Sequence, residues 1–287
     1  MDEKDWHALH VLLEEKNISR AAERLYVSQP ALTYRLKNIE RKFGTTLFFK
    51  TKTGVELTSE GIHLANYAIE MKKQLQTTKD YLQNMKPEVR GTLRIGVSSN
   101  FAQYKLPALL KAFSTKYPHV QFSVRTGWST EIMDLLNSSH VHLGILRGNY
   151  DWYGTKTLLH KERLCLISKR EVKLETLPKL PFINYNTDSS LKGLINGWWH
   201  DHFSTPPLVT MENDRQETCK EMVKHDLGVS ILPEICLQPS DHLNIYGLSY
   251  KNGEPVLRNT WLMYNEDALK LTTIKTFVDF LTSYDEL

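Results

Sequence analysis

Gln29, Thr33 and Lys37 stand four residues apart, so they share one face of any helix that carries them. Their chemistry suits a nucleic acid. A Gln amide can bond an adenine edge through two hydrogen bonds, a Thr offers a base its hydroxyl or methyl, and a Lys suits a phosphate. Tyr34, beside them, can pack on a sugar or bond a phosphate. Around this group Arg35, Lys37, Arg41, Lys42, Lys50 and Lys52 face a single acid, Glu40. A solvated helix face would account for the same run of charge. The net charge of +3 is too mild to assign a partner by itself.

The surrounding residues supply a frame for that face. Ser28 is a good N-cap, and Pro30 falls in the first turn, where its missing N–H costs nothing. Leu32, Leu36, Ile39 and Phe43 form an apolar stripe away from the polar face, and Gly44 ends the helix. Trp6, Leu9 and Leu13 mark a helix before it, and Ala21, Ala22 and Leu25 a second. After it, Leu47–Phe49 and Val55–Leu57 read as strands, with Lys50 and Lys52 at the hairpin and Gly54 relieving the turn. The pattern predicts a winged helix-turn-helix over residues 1–58. Its third helix would read bases and its wing would position the backbone.

At these residues the chain resembles the LysR-type transcriptional regulators. The shared pattern is Ala21-Ala22, Leu25, Ser28-Gln29-Pro30-Ala31-Leu32-Thr33, Leu36, Ile39-Glu40, Phe43-Gly44, Leu47-Phe48, Lys50, Val55, Leu57-Thr58 and Gly61. Two positions depart from it. Lys50 replaces the usual wing arginine, and Thr53 occupies a second basic position, with Lys52 beside it. The resemblance implies DNA contacts from Ser28, Gln29, Pro30, Thr33, Tyr34, Lys37, Lys50 and Lys52.

Residues 59–86 read as one long helix with no proline until Pro87. Leu64, Ala68, Met71, Leu75, Thr78, Leu82 and Met85 step by four and three, an a/d seam for a two-stranded coil. The competing reading is an amphipathic helix packed on its own domain. The resemblance implies a linker helix that pairs two reading heads on two half-sites, commonly within a homotetramer, with RNA polymerase as a further partner.

From Pro87–Gly91 onward the pattern alternates strands with helices. This predicts mostly parallel sheets covered on both faces and, over residues 87–287, a two-lobed α/β effector domain. Lobe I would hold about 91–161 and 266–287, and lobe II about 162–265. Leu106-Pro107, Phe113, Tyr117-Pro118, Val120 and the run Leu227–Pro233 extend the resemblance, while His142 stands where the family has Asp. The resemblance implies a periplasmic-binding-protein-like fold with a ligand cleft. Ser98, Ser99, Asn100, Ser129, Thr130, Arg147, Asn184, Asp188, Ser189 and Arg258 fall just past strand ends or near the return crossover. Hydroxyls at helix N-termini and an arginine fork suit an anion, so the expected effector is a small carboxylate, such as a di- or tricarboxylate. The competing roles are helix caps for the hydroxyls and, for Arg147, a surface ion pair with Glu131 or Asp151.

Length and composition bound the alternatives. The 287 residues suit about two domains, with 41% hydrophobic and 24% charged residues, as in a globular chain with a full core. Cys165, Cys219 and Cys236 lack C-x-x-C spacing and read as reduced thiols of a cytoplasmic protein. His200 and His202 flank Asp201 but point apart on a helix, so packing is expected there rather than a metal. Asp2–Asp5 is charged, unlike a signal peptide, and no apolar run suits a membrane span. No cofactor is expected, and no P-loop, G-x-G-x-x-G, G-x-S-x-G or H-E-x-x-H motif marks an enzyme. A ligand-independent architectural DNA-binding protein remains the rival, with a DNA-binding enzyme behind it.

Overall fold

The computed structural model describes residues 1–52, 54–84 and 88–284. It divides into two compact units, Met1–Met85 and Lys86–Leu287.

In the first unit, α1 (Glu3–Glu15) opens on a capping box in which the Asp2 carboxylate accepts the Asp5 N–H at 2.8 Å. Asn17 caps α2 (Ile18–Arg24), and Ser28 caps α3 (Gln29–Phe43), which Gly44 closes in the left-handed region at φ 65°. β1 (Phe48–Thr51) and β2 (Gly54–Leu57) pair antiparallel as the wing, with Lys50 opposite Val55. α4 (Ser59–Asn84) follows. Leu9, Leu12, Ala21, Ala22, Leu36, Leu47 and Ala65 are buried in one core. Each fully buried leucine there stabilises the unit by roughly 1.5–3 kcal/mol.

Two glycines fix how the wing and α4 dock. Gly54 has φ 152°, and a Cβ on it would sit 2.4 Å from the Lys16 carbonyl oxygen. A Cβ on Gly61 would sit 2.0 Å from that of Leu47. The proposed helical seam needs correction at its start: Leu64 and Ala68 are buried in the core of their own chain. Small and apolar residues on the first turns of α4 meet α1 and the wing, so only Met71, Leu75, Thr78 and Leu82 remain for another helix. Thr53, Met85 and Pro87, named above, lie outside the described residues.

The second unit builds its first lobe on β3 (Gly91–Ser98), α5 (Ser99–Tyr104), α6 (Leu106–Lys116), β4 (Val120–Gly127), α7 (Ser129–Asn137) and β5 (Leu143–Arg147). β6 (Thr155–Ser168) then runs into the second lobe, made of β7 (Pro181–Tyr185), α8 (Ser189–His202), β8 (Leu208–Asn213), α9 (Gln216–Lys224), β9 (Ser230–Pro233) and β10 (Asn244–Gly247). β11 (Leu257–Tyr264) returns to the first lobe, and α10 (Thr272–Thr282) packs there. The continuous strand order is β10-β6-β11-β5-β3-β4, with β9 also on β6 and β7-β8 forming a separate pair.

The sheets are parallel at β3-β4, β3-β5 and β7-β8. The mostly parallel expectation fails at β6, β9, β10 and β11, which pair antiparallel. The cause is topological: β6 and β11 are the two strands that cross between lobes in opposite directions. The return into lobe I also comes earlier than residue 266. Val256 lies in the second core, while Leu262 and Tyr264 on β11 lie in the first. A short 3-10 turn at Glu266–Lys270 precedes α10.

Candidate nucleic-acid interface and ligand cleft

On α3, Ser28, Gln29, Pro30, Tyr34 and Lys37 are exposed and Thr33 is partly so. Leu32, Leu36 and Ile39 are buried on the opposite face. The exposed trio therefore stands on a helix whose apolar face holds it against α1 and α2. Lys50 and Lys52 are exposed on the wing. Sequence reasoning missed three things here. Tyr26 is almost fully exposed in the turn before α3, with φ 55°. Arg41 lies 5.9 Å from the Tyr34 ring and bonds Asn38, so Tyr34, Asn38 and Arg41 form one linked stripe along α3. Arg35 is turned inward to Asp5, at 2.7 Å, and leaves the basic face. The spacing of Tyr34 and Arg41 by seven residues was the available signal.

In the second unit a cleft of about 740 Å³ opens between the lobes. The structure brings Ser98, Ser99, Asn100, Ser129, Arg147, Asp188 and Arg258 to its walls. Thr130, Asn184 and Ser189 are not among them; Asn184 lines a separate cavity between α8 and β8. Thr130 and Ser189 lie one residue from wall residues, and the helical turn points them to solvent.

The two arginines are not the open forks that the sequence suggested. Arg147 is buried and paired with Glu162 on β6, rather than with Glu131 or Asp151. Arg258 is buried and paired with Asp188, the N-cap of α8, whose other oxygen accepts the Leu191 N–H at 2.9 Å. Burial and the nearby Arg147 charge lower the pKa of Arg258 from its usual value, which Asp188 partly offsets. Ser129 is also committed, because its hydroxyl bonds the Arg147 backbone N–H and carbonyl at 3.0 Å each. The helix-cap reading fails for Ser129, which ties the start of α7 to the end of β5 while Trp128 holds the N-cap position, and a cap role belongs to Asp188 instead.

Other donors in the cleft have no acceptor. Ser98 Oγ, Arg147 Nε and Arg258 Nε are buried without a hydrogen-bond partner. Burial, and after it the nearby Asp188 charge, raise the pKa of Tyr150, whose hydroxyl lies close to Asp188 and Ser129. The opposite lobe supplies Gln216 and Glu217, which sequence reasoning missed. The Asn100 amide donates to the Gln216 carbonyl oxygen, and the Tyr104 hydroxyl donates to Glu217 at 2.9 Å. The N-terminal end of α9 was the signal available for both.

The three thiols are buried, and burial pushes Cys165 and Cys219 up to about 11 and Cys236 up to about 12. His200 and His202 bond the carbonyls of Asn196 and Trp198. Among the described residues, no group of three metal-binding side chains is clustered, and no helix is long and apolar enough to cross a membrane.

A winged helix-turn-helix, a long helix and a two-lobed cleft domain in one chain define a class of DNA-binding regulator with a separate cleft-bearing domain. Residues 4–62 match the bacterial regulatory helix-turn-helix model of the lysR family, and residues 86–285 match the LysR substrate binding domain. The chain belongs to the LysR family of DNA-binding transcriptional regulators. Two Bacillus subtilis (strain 168) proteins, YraN and YkuM, each named an uncharacterized HTH-type transcriptional regulator, are 55% and 37% identical to it. Both alignments cover 98% of this chain and 97% of the relative. Full-length CbnR in complex with its target DNA has a similar fold, with TM-score 0.69 at 18% identity over 98% of this chain and 99% of that one. So does AphB, the Vibrio cholerae virulence activator, with TM-score 0.64 at 13% identity over 99% of each.

Proposed function

We propose that this regulator acts in the cytoplasm as a dimer paired through α4, and as a tetramer of two such dimers. A small carboxylate-bearing metabolite in the inter-lobe cleft sets its operator affinity. Gln29 and Thr33 choose the sequence, while Tyr34, Lys37, Lys50 and Lys52 hold phosphates. The observation that carries the effector reading is the set of buried donors, Ser98 Oγ, Arg147 Nε and Arg258 Nε, that line a cleft and have no acceptor. Buried polar groups are normally satisfied, so such a set calls for acceptor oxygens from a ligand. The metabolite would favour one arrangement of the two lobes, and its differential affinity for the arrangements is all that can shift DNA binding.

A ligand-independent architectural role leaves the cleft and its unpartnered donors without use. Footprinting upstream of the gene, with and without a panel of small carboxylates, tests the reading. A protected region that shortens or shifts with one compound supports it. Protection unchanged by every carboxylate removes the carboxylate effector and leaves the DNA-binding role.

A further inference from the structure

We propose that the effector is a net-neutral zwitterion of the amino-acid class, carrying an ammonium group as well as a carboxylate. The inference rests on the reading of the inter-lobe cleft as the effector site.

Two features of the cleft pull in different directions for a simple anion. The unpartnered donors Ser98 Oγ, Arg147 Nε and Arg258 Nε ask for oxygen acceptors. Yet each buried guanidinium already has its own carboxylate, Glu162 for Arg147 and Asp188 for Arg258. The charge of these two guanidiniums is therefore already balanced, which leaves Arg215, among the described residues, as the cation of the wall without a carboxylate of its own. The walls carry Glu131, Asp188, Asp214 and Glu217 against Arg147, Arg215 and Arg258, with no lysine. Glu162 adds one more carboxylate behind Arg147. A dicarboxylate would add two negative charges to walls that already carry more carboxylates than guanidiniums, which is unfavourable.

A zwitterion meets both demands. Its carboxylate supplies acceptors to the orphan donors of the first lobe and the crossover strands. Its ammonium supplies donors to carboxylates that keep an open oxygen. Glu131 uses one oxygen to accept the Trp128 N–H at 2.8 Å, and Glu217 uses one for Tyr104. Glu217 stands on α9 of the second lobe and Ser98 on β3 of the first, so one ligand touching both would tie the lobes together. The pairing of ligand charge with site charge fixes orientation and rejects analogues that lack either group.

The test uses the full-length chain. Thermal-shift measurements compare each common amino acid with its 2-oxo acid and its decarboxylated amine, with succinate as a dianion, and the best binder is then titrated calorimetrically. At least one amino acid is expected to bind, with its 2-oxo acid and its amine each weaker by about tenfold or more, which corresponds to roughly 1.4 kcal/mol per factor of ten. Glu217→Gln keeps an oxygen for Tyr104 and removes the charge. It is expected to weaken the amino acid by a similar factor while leaving the 2-oxo acid unchanged or tighter; a purely structural role would weaken both alike. Equal or tighter binding of 2-oxo acids or succinate would overturn the zwitterion but keep a carboxylate effector. The absence of any amino-acid binder would overturn it too, while the footprint separately tests the regulator.

Discussion

Arg147 and Glu162 form an ion pair beneath the cleft floor with almost no solvent contact, their side chains 2% and 1% exposed. Glu162 also accepts the Ile235 N–H at 2.8 Å, so one carboxylate joins the end of β5, the crossover strand β6 and the second lobe. Neither partner can be removed alone without leaving a buried charge unpaired. Glu162→Ala is expected to destabilise the effector unit by about 3–5 kcal/mol. Urea denaturation followed by tryptophan fluorescence measures it. A change of only about 1 kcal/mol or less, the size of a surface pair, would show that water reaches Arg147.

Gln29→Ala is expected to lose preference for operator over random DNA, by about 1–3 kcal/mol, because only a base contact carries sequence information. Lys37→Ala should instead weaken both DNAs together and lower the salt slope by about one. Titrations at several salt concentrations separate the two. Equal losses on operator and random DNA for Gln29→Ala would remove its reading role.

Gly61→Ala places a methyl carbon against the Leu47 carbonyl oxygen, a backbone atom that cannot swing away. The expected cost to the DNA-binding unit is about 1–3 kcal/mol, the usual range for overpacking. Thermal melting of the variant, followed by circular dichroism, checks it; an unchanged midpoint would mean that α4 shifts freely along β1.

Leu64→Glu and Leu82→Glu should behave differently, although both lie on the same helical seam. Leu64 is in the core of its own unit, and Leu82 is 57% exposed. The first substitution is expected to unfold the head. The second should leave it folded and weaken self-association, which sedimentation velocity would show as a shift toward the monomer. A Leu82→Glu variant that assembles like the parent would place the pairing surface elsewhere.

The thiols give a pH dependence whose sign is fixed. Burial raises Cys236 to about 12, and Cys165 and Cys219 to about 11, above the ordinary 9.0. The folded state then holds protons that the unfolded chain releases. Stability from these groups is present below pH 9.0 and falls as the pH rises toward the folded values. Replacing all three with alanine should flatten that alkaline decline, and dithionitrobenzoate should label the native protein only after urea is added. Rapid labelling of native protein at neutral pH would contradict the buried-thiol picture.

Much of the head could be read directly from the sequence because its determinants are local. Asp2 and Asp5 lie three residues apart and make a capping box, Ser28 caps α3, and Gly44 takes a conformation that a Cβ would resist. The repeat of Gln29, Thr33 and Lys37 defines a face whatever the rest of the chain does. The seam on α4 was ambiguous because Leu64 and Leu82 share a periodicity, and periodicity does not say whether the covering surface belongs to the same chain.

In the cleft, strand ends and helix starts were placed by the alternating pattern, and seven of ten candidate residues reach the walls. What those side chains do there depended on partners far away in sequence: Glu162 for Arg147, Asp188 for Arg258, Gln216 for Asn100. The sequence by itself determined caps, faces and family, because those depend on neighbours within a turn of helix. Only the tertiary structure decided which charges are neutralised and which donors stay unpartnered, because β6 and β11, crossing between lobes, bring together groups that the chain order keeps apart.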